Sequence, residues 1–284
     1  MKVDNHEQYK GQLINADSSK HIDWDTMHSV QQARMPFFGK DSTRWNRYSI
    51  SPSLGEIDQN YIDQLLPRLL LSPEVSVLDV GCGNGGISIA LANRVRQVIA
   101  LDFSTAALKS LERKTKELTN NNITLIHADF SQIEVGKDVE MCNVVLASRC
   151  LPMSNLRQSL TKINLAARRL CYVVCSSSDN ELTQWICSKT GIVFRPFPEY
   201  IITPNVLYTM GIHANVEIFS VRGTYRFNDL DEAWFFAMFG YDIKDKSTCG
   251  EITKLILSKL IPEDGGYKYN YQKQFALIWW QKEG

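Results

Sequence analysis

The strongest constraint on this chain is an alternation. Between residues 75 and 190, short apolar runs and amphipathic stretches follow one another five times. Residues 75–80, 97–101, 123–127, 142–147 and 170–175 read as buried strands, near-continuously apolar. Residues 86–94 carry Ile87, Ala90, Leu91 and Arg94 at helical spacing. Ser104 is placed to cap a helix in which Leu108, Leu111, Thr115 and Leu118 share a face. Ser154 is placed to cap another, with Leu156, Leu160, Ile163 and Ala167 on one face. Residues 179–190 read as a helix stopped by Gly191. Strands in such a series lie parallel, joined by right-handed crossovers. The fold class is therefore α/β, a doubly wound and mainly parallel sheet.

The flanks depart from this pattern. Residues 1–52 are polar and irregular, with Trp24, Phe37, Phe38, Arg44, Trp45, Arg47 and Tyr48 interleaved. Ile57, Tyr61, Leu65 and Leu69 then fall four apart, and Pro67 ends or kinks the run. After Gly191, residues 215–227 read as a long strand and 228–239 as a helix. Residues 248–261 read as a second helix, with a capping box at Thr248 and Glu251 and a stop at Pro262. Residues 269–281 form a last, aromatic strand. The expected organisation is one domain over 1–284: a cap segment (1–55), a core (56–227), a helical lid insertion (228–266) and a last strand (267–284).

Composition excludes some classes. Lys plus Arg and Asp plus Glu are each 31, so the formal net charge is zero. A protein living on phosphate backbones is expected to carry an excess of cations. The chain is 44% hydrophobic and 22% charged, enough apolar matter for a real core. No run approaches the ~18–20 apolar residues of a membrane span, and residues 1–20 are polar, so the expected location is cytoplasmic. The seven cysteines form no CxxC pair and read as free, mostly buried thiols. The five histidines are scattered, so no metal site is expected.

The sharpest local signal is Val77-Leu78-Asp79-Val80-Gly81-Cys82-Gly83-Asn84-Gly85-Gly86. A strand runs into closely spaced glycines and then a helix. Such glycines turn the backbone tightly and admit a ligand to main-chain atoms. Gly81, Gly83 and Gly86 also satisfy G-x-G-x-x-G, so an NAD-dependent oxidoreductase competes. Asp79 argues against it, because a carboxylate at the mouth would repel a pyrophosphate. The roughly 74 residues before the first strand argue the same way, since dinucleotide domains often begin with that strand.

The segment from Leu78 to Gly85 resembles the first motif of the class I S-adenosylmethionine-dependent methyltransferases. The resemblance continues in order through Leu101-Asp102-Phe103-Ser104, His127-Ala128-Asp129-Phe130 and Leu146-Ala147-Ser148-Arg149, each at a strand end. It implies a Rossmann-like sheet of seven strands whose last strand runs antiparallel, and S-adenosylmethionine as cofactor, with S-adenosylhomocysteine as its product.

The resemblance also implies site residues. Gly81, Cys82 and Gly83 would pass beneath the methionyl and ribose part through their backbone. Asp79 would help hold the cationic amino-acid end. Asp102 would accept from both ribose hydroxyls, and Phe103 would pack on the adenine. Asp129 would accept from the adenine amino group, with the Phe130 N–H serving a ring nitrogen. Ala147 and Ser148 would flank the methionyl chain. Asp102 and Asp129 also fit as cap and turn residues, and both phenylalanines as core.

The acceptor side is less marked. Family members that methylate adenine or glutamine amides carry Asn/Asp-Pro-Pro-aromatic at the fourth strand's end. This chain has Ala147-Ser148-Arg149-Cys150 there, which resembles the small-molecule branch more. Arg44, Trp45, Arg47, Tyr48, Tyr208 and Trp234 are candidates to line a pocket. Residues 205–211, with Met210, form one possible wall. Phe235, Phe236 and Phe239 join Trp234 there or dock its helix on a neighbour. No catalytic residue is assigned; His213, Tyr208, Tyr225 and Glu217 are candidate bases. The expected function is methyl transfer to a small molecule, with no membrane or nucleic-acid partner. RNA methylation, dinucleotide-dependent oxidation and non-catalytic cofactor binding are the alternatives.

Overall fold

The computed structural model describes residues 22–33, 46, 59–116, 118, 122–150, 155–194, 198–238, 241 and 243–282. Helix α1 is Trp24–Ala33 and α2 is Gln59–Leu65, followed by a 3-10 turn at Leu66–Arg68. The alternating core comprises β1 (Ser76–Val80), α3 (Gly86–Ala92), β2 (Gln97–Asp102), α4 (Thr105–Thr115), β3 (Ile123–His127), β4 (Cys142–Ser148), α5 (Leu156–Ala166) and β5 (Ala167–Ser176). It is followed by α6 (Glu181–Thr190), α7 (Glu199–Thr209) and β6 (Asn215–Phe227). Then come α8 (Leu230–Ala237), α9 (Lys246–Leu257), β7 (Ile261–Glu263) and β8 (Gly266–Gln281).

The sheet order is β3-β2-β1-β4-β5-β8-β6. The first five strands are mutually parallel. β8 runs antiparallel between β5 and β6. The seven expected strands are joined by an eighth, the three-residue β7, which pairs with the start of β8.

Each face of the sheet is covered. Leu78, Val80, Val145, Val173 and Ile278 pack with Leu160 and Ile163 of α5 and with Ile202 and Val206 of α7. Val77, Val98, Leu146 and Leu277 pack on the other face with Tyr61, Leu65, Ile87 and Leu91. Burial on both faces is why these strands read as continuous apolar runs.

β5 stops at Ser176 opposite Phe275, but β6 and β8 stay paired out to Phe227 and Tyr267. The pair thus continues as a two-stranded arm past the carboxyl end of β5. Helices α6, α8 and α9 close on this arm, with Ile186, Phe227, Phe235, Phe236 and Ile256 in a core of their own. Thr183 Oγ1 ties α6 to α8 by donating to the Ala237 carbonyl at 2.6 Å.

Several expected ends move. Ser154 lies outside the described residues, and Asn155 caps α5 by accepting from the Gln158 N–H at 2.9 Å. Ala167 opens β5 and is not on the helix. Asp245, not Thr248, caps α9: one carboxylate oxygen accepts both the N–H and the hydroxyl of Thr248, each at 2.7 Å. Pro262 lies within β7. Helices α1 and α7 were not expected.

Candidate cofactor and acceptor site

The glycine loop is stitched to β2. The N–H groups of Gly81 and Cys82 both donate to the Leu101 carbonyl, at 2.8 and 3.0 Å. Gly81 sits at φ +66°, and a Cβ there would overlap the Cys150 side chain, so both conformation and space require glycine. Gly83, at φ +57°, faces open space: a Cβ there meets nothing within 4 Å. The loop is held on one side and clear at the position where a ligand must approach.

Asp102 anchors this arrangement. Its Oδ2 accepts from the Gly83 N–H at 2.8 Å and its Oδ1 from the Ser104 N–H at 2.8 Å. Ser104 caps α4 through the Ala107 N–H at 3.1 Å and donates its hydroxyl to Asn46 at 2.7 Å. Burial pushes the Asp102 carboxyl up, against the opposing pull of those backbone bonds. A carboxylate oxygen has two lone pairs, so each oxygen retains capacity for a ligand hydroxyl. Beside it Phe103 is 36% exposed, unusual for a large apolar ring at a strand end. An open glycine cradle, a partly desolvated carboxylate and a half-open aromatic ring fit the nucleoside end of the cofactor.

The remaining motif residues divide by depth. Asp79 is 1% exposed and accepts from the Ser88 hydroxyl at 2.5 Å. Burial pushes its carboxyl up to about 7. Asp79 therefore stands behind the loop. The Cys82 side chain is buried with Ala100, Leu108 and Leu111, which leaves its backbone to the ligand side. Asp129 is half-buried and accepts from the Ser131 N–H at 2.9 Å, a turn bond that uses one of its oxygens. Phe130 is buried in the core, and Ala147 has no exposed side chain. Ser148 Oγ lies 2.7 Å from the hydroxyl of Tyr61.

On the acceptor side the two described candidates, Tyr208 and Trp234, lie on different helices, α7 and α8. Arg44, Trp45, Arg47, Tyr48 and Phe239 lie outside the described residues. Asn46 is bonded to Ser104, just past the carboxyl end of β2. Tyr208 is exposed in the last turn of α7, its ring edge against His213. It lies about 13 Å along the helix axis from Glu199 at the other end, at about 1.5 Å per residue. Trp234 packs against the core of the arm, so its aromatic cluster is mainly a docking surface. Glu217 is held by Arg68 at 2.9 Å. Tyr225 stacks on Tyr271 at 4.4 Å, and Lys273 lies over its ring.

Three features at the β4 end carried no clear sequence signal. Tyr61 reaches across from α2, and burial pushes its hydroxyl up to about 12. Arg149 adopts φ 57° and lies over the Tyr61 ring at 4.9 Å. Glu199, opening α7 after Pro198, is partly buried, and burial pushes its carboxyl up to about 7.

Residues 77–170, β1 through β5, match the family model described as a methyltransferase domain. These residues carry a methyltransferase domain. Among curated relatives, an uncharacterized protein of Haemophilus influenzae is 27% identical over 224 residues, 78% of this chain and 81% of that protein. The ribosomal RNA small subunit methyltransferase A of Bacillus pumilus is 28% identical over 196 residues, 60% of this chain and 66% of that enzyme. The fold is shared with the YcgJ protein of Bacillus subtilis, at TM-score 0.54 and 11% identity over 80% of this chain and all of that one. The BH2331 protein of Bacillus halodurans C-125 also has TM-score 0.54, at 15% identity over 78% of this chain and 99% of that one. No described helix is long and apolar enough to cross a membrane.

Proposed function

We propose that this methyltransferase moves the methyl group of S-adenosylmethionine to a small-molecule acceptor. The observation that carries the reading is the walled carboxyl edge. The β6–β8 arm, packed with α6, α8 and α9, rises past the carboxyl end of β5, at the same edge of the sheet as the β1 and β2 ends that bear the glycine loop and Asp102. Such a wall suits a ligand that can be enclosed. The zero net charge agrees, as does the sequence Ala147-Ser148-Arg149-Cys150 at the β4 end.

In this reading the backbone of Gly81, Cys82 and Gly83 runs beneath the methionyl and ribose part. Asp102 takes the ribose hydroxyls, Phe103 packs on the adenine, and Asp129 with the Phe130 N–H reads its edge. Asp79 keeps the loop in place through Ser88. The bound cofactor supplies a sulfonium methyl already activated for in-line displacement. The protein's work is then positioning and exclusion of water. The N-terminal segment reached through Asn46, and the arm with residues 228–266, act as the caps that provide both.

RNA methylation is the second reading, favoured by the ribosomal RNA methyltransferase among the relatives. The test is a transfer assay with methyl-labelled cofactor. Purified protein is incubated with a metabolite extract passed through a small-pore filter and, separately, with total RNA. Label in the filtered fraction is expected. Label confined to RNA would overturn the proposal.

A further inference from the structure

The backbone turns against its own preference where β4 ends. Among the described residues, Arg149 is the only non-glycine residue at positive φ, 57°. A side chain there is strained, and such strain persists only where the surroundings hold it. Two bonds hold it here. The Arg149 N–H donates to the Val174 carbonyl of β5 at 2.8 Å. The Cys150 thiol donates at 2.9 Å to the carbonyl of Val80, the last residue of β1. Cys150 also abuts Gly81: a Cβ on that glycine would lie 2.4 Å from the Cys150 Cβ. Residue 149 is therefore one step along the chain, about 3.8 Å between Cα atoms, from contact with the glycine loop.

The strained turn decides where the cation goes. Successive side chains of a strand point to opposite faces. Val144 and Leu146 of β4 pack on the Tyr61 face, Val145 and Ala147 on the other. Ser148 continues the first series and meets the Tyr61 hydroxyl at 2.7 Å. An extended residue 149 would point to the opposite face, toward α5 and α7. Instead the Arg149 guanidinium lies over the Tyr61 ring, 4.9 Å from its centroid. The left-handed turn thus puts two successive side chains on one platform. The platform is itself fixed, since Tyr61 is 1% exposed and meets the Phe275 ring edge-on at 4.8 Å. Arg149 is exposed. A ring beneath a guanidinium orients it without consuming its N–H donors, and the planar fork matches two oxygens of an anion. Two residues before Phe275, on the same face of β8, Lys273 adds a second positive charge, over the Tyr225 and Tyr271 rings at 5.4 and 5.9 Å.

We propose that Arg149 selects the acceptor: its guanidinium binds an anionic group, a carboxylate or a phosphate, on the small molecule that receives the methyl group. This rests on the small-molecule reading above and narrows it to acidic acceptors. Arg149 is a specificity residue and takes no part in bond making. The turn at residue 149 sets a positive charge beside the loop and leaves Gly81 and Gly83 to the cofactor. Capture of the anion orients the acceptor toward the transferred methyl group.

The test splits the filtered metabolite extract on a strong anion-exchange resin and assays each half with methyl-labelled cofactor. Wild-type protein is expected to label the retained half and leave the unretained half unlabelled. Labelling of the unretained half would overturn the proposal and leave the small-molecule reading standing. Label confined to RNA would overturn both. In dilutions of the retained half, Arg149→Gln is expected to label about tenfold to a hundredfold more slowly at limiting acceptor, and to recover much of its rate at high acceptor. S-adenosylhomocysteine affinity should stay within about twofold. Arg149→Lys should retain part of the rate, because it keeps the charge and loses the fork. Arg149→Gly removes the guanidinium and relieves the backbone, so its urea midpoint should be no lower than that of Arg149→Gln while its labelling falls as far. Unchanged labelling in Arg149→Gln and Arg149→Gly would overturn the proposal. So would S-adenosylhomocysteine affinity that falls along with labelling, which would give Arg149 to the cofactor's carboxylate. A rate reduced equally at every acceptor concentration would make Arg149 a support for Tyr61 only, and would overturn it too. Phosphatase treatment of the retained half separates the two anions: loss of label marks a phosphate, persistence a carboxylate, and either agrees with the proposal.

Discussion

The two ends of the same sheet edge are built in different ways. At the β1–β2 end, function rests on the main chain: Gly81, Gly83 and the N–H groups that hold Asp102 all lie within about 25 residues. At the β4–β5 end it rests on side chains from distant segments. Tyr61 from α2 meets Ser148, the last residue of β4, and Arg149, the next one, there. In the proposed function a constant ligand half meets a fixed local backbone. A variable half is left to side chains, which can change without disturbing the loop.

The sharpest way to break this contrast is to put a methyl group on the loop. Gly81→Ala combines a left-handed backbone with overlap on Cys150, and is expected to cost about 2–5 kcal/mol of stability. Gly83→Ala carries only the backbone strain, about 1–2 kcal/mol, because its Cβ meets nothing. It should instead lose S-adenosylhomocysteine affinity, since the new methyl fills the cradle. Urea unfolding and calorimetric titration of both variants separate the two effects. Equal loss of stability would show that Gly83 is structural.

Asp102→Ala comes next. It removes the acceptor for two N–H groups and the proposed ribose contact. S-adenosylhomocysteine affinity should fall by roughly tenfold to a hundredfold, as for charge-assisted bonds of about 1.5–3 kcal/mol. Unchanged affinity would reduce Asp102 to a link between loop and helix cap.

On the acceptor end, Tyr61→Phe removes the partner of Ser148 and should cost about 1–2 kcal/mol, read by urea unfolding. S-adenosylhomocysteine affinity should stay within about twofold. Adding Ser148→Ala should cost little more, because the pair acts as a unit. A large affinity loss in Tyr61→Phe would blur the division between the two ends.

A further contrast concerns pH. The folded protein raises Asp79 from 3.8 to about 7 through burial, so it favours the protonated acid. The stability linked to this group is full below about pH 3.8 and is lost as pH rises through about 7. Asp79→Asn should flatten that part of the profile of melting temperature against pH. Glu199 shifts in the same direction and leaves a residual slope.

Much of the β1–β5 half was legible because its signals are local. The Ser104 cap, the Gly191 stop and the strand cores follow from neighbours in the chain. The errors have the same local origin. Thr248 resembles a cap, but Asp245 three residues earlier is the better acceptor and turns the Thr248 hydroxyl into a donor. Helix α7 went unseen because Pro204 lies inside it and its surface carries little periodic contrast. Its burial against β5 and β8 overrides propensity.

One measurement tests the account most directly: thermal unfolding with S-adenosylhomocysteine and, separately, with NAD. Protection by S-adenosylhomocysteine alone is predicted, about 2.7 kcal/mol at a hundredfold excess over the dissociation constant. That protection should fall in Asp102→Ala. Protection by NAD and none by S-adenosylhomocysteine would contradict it.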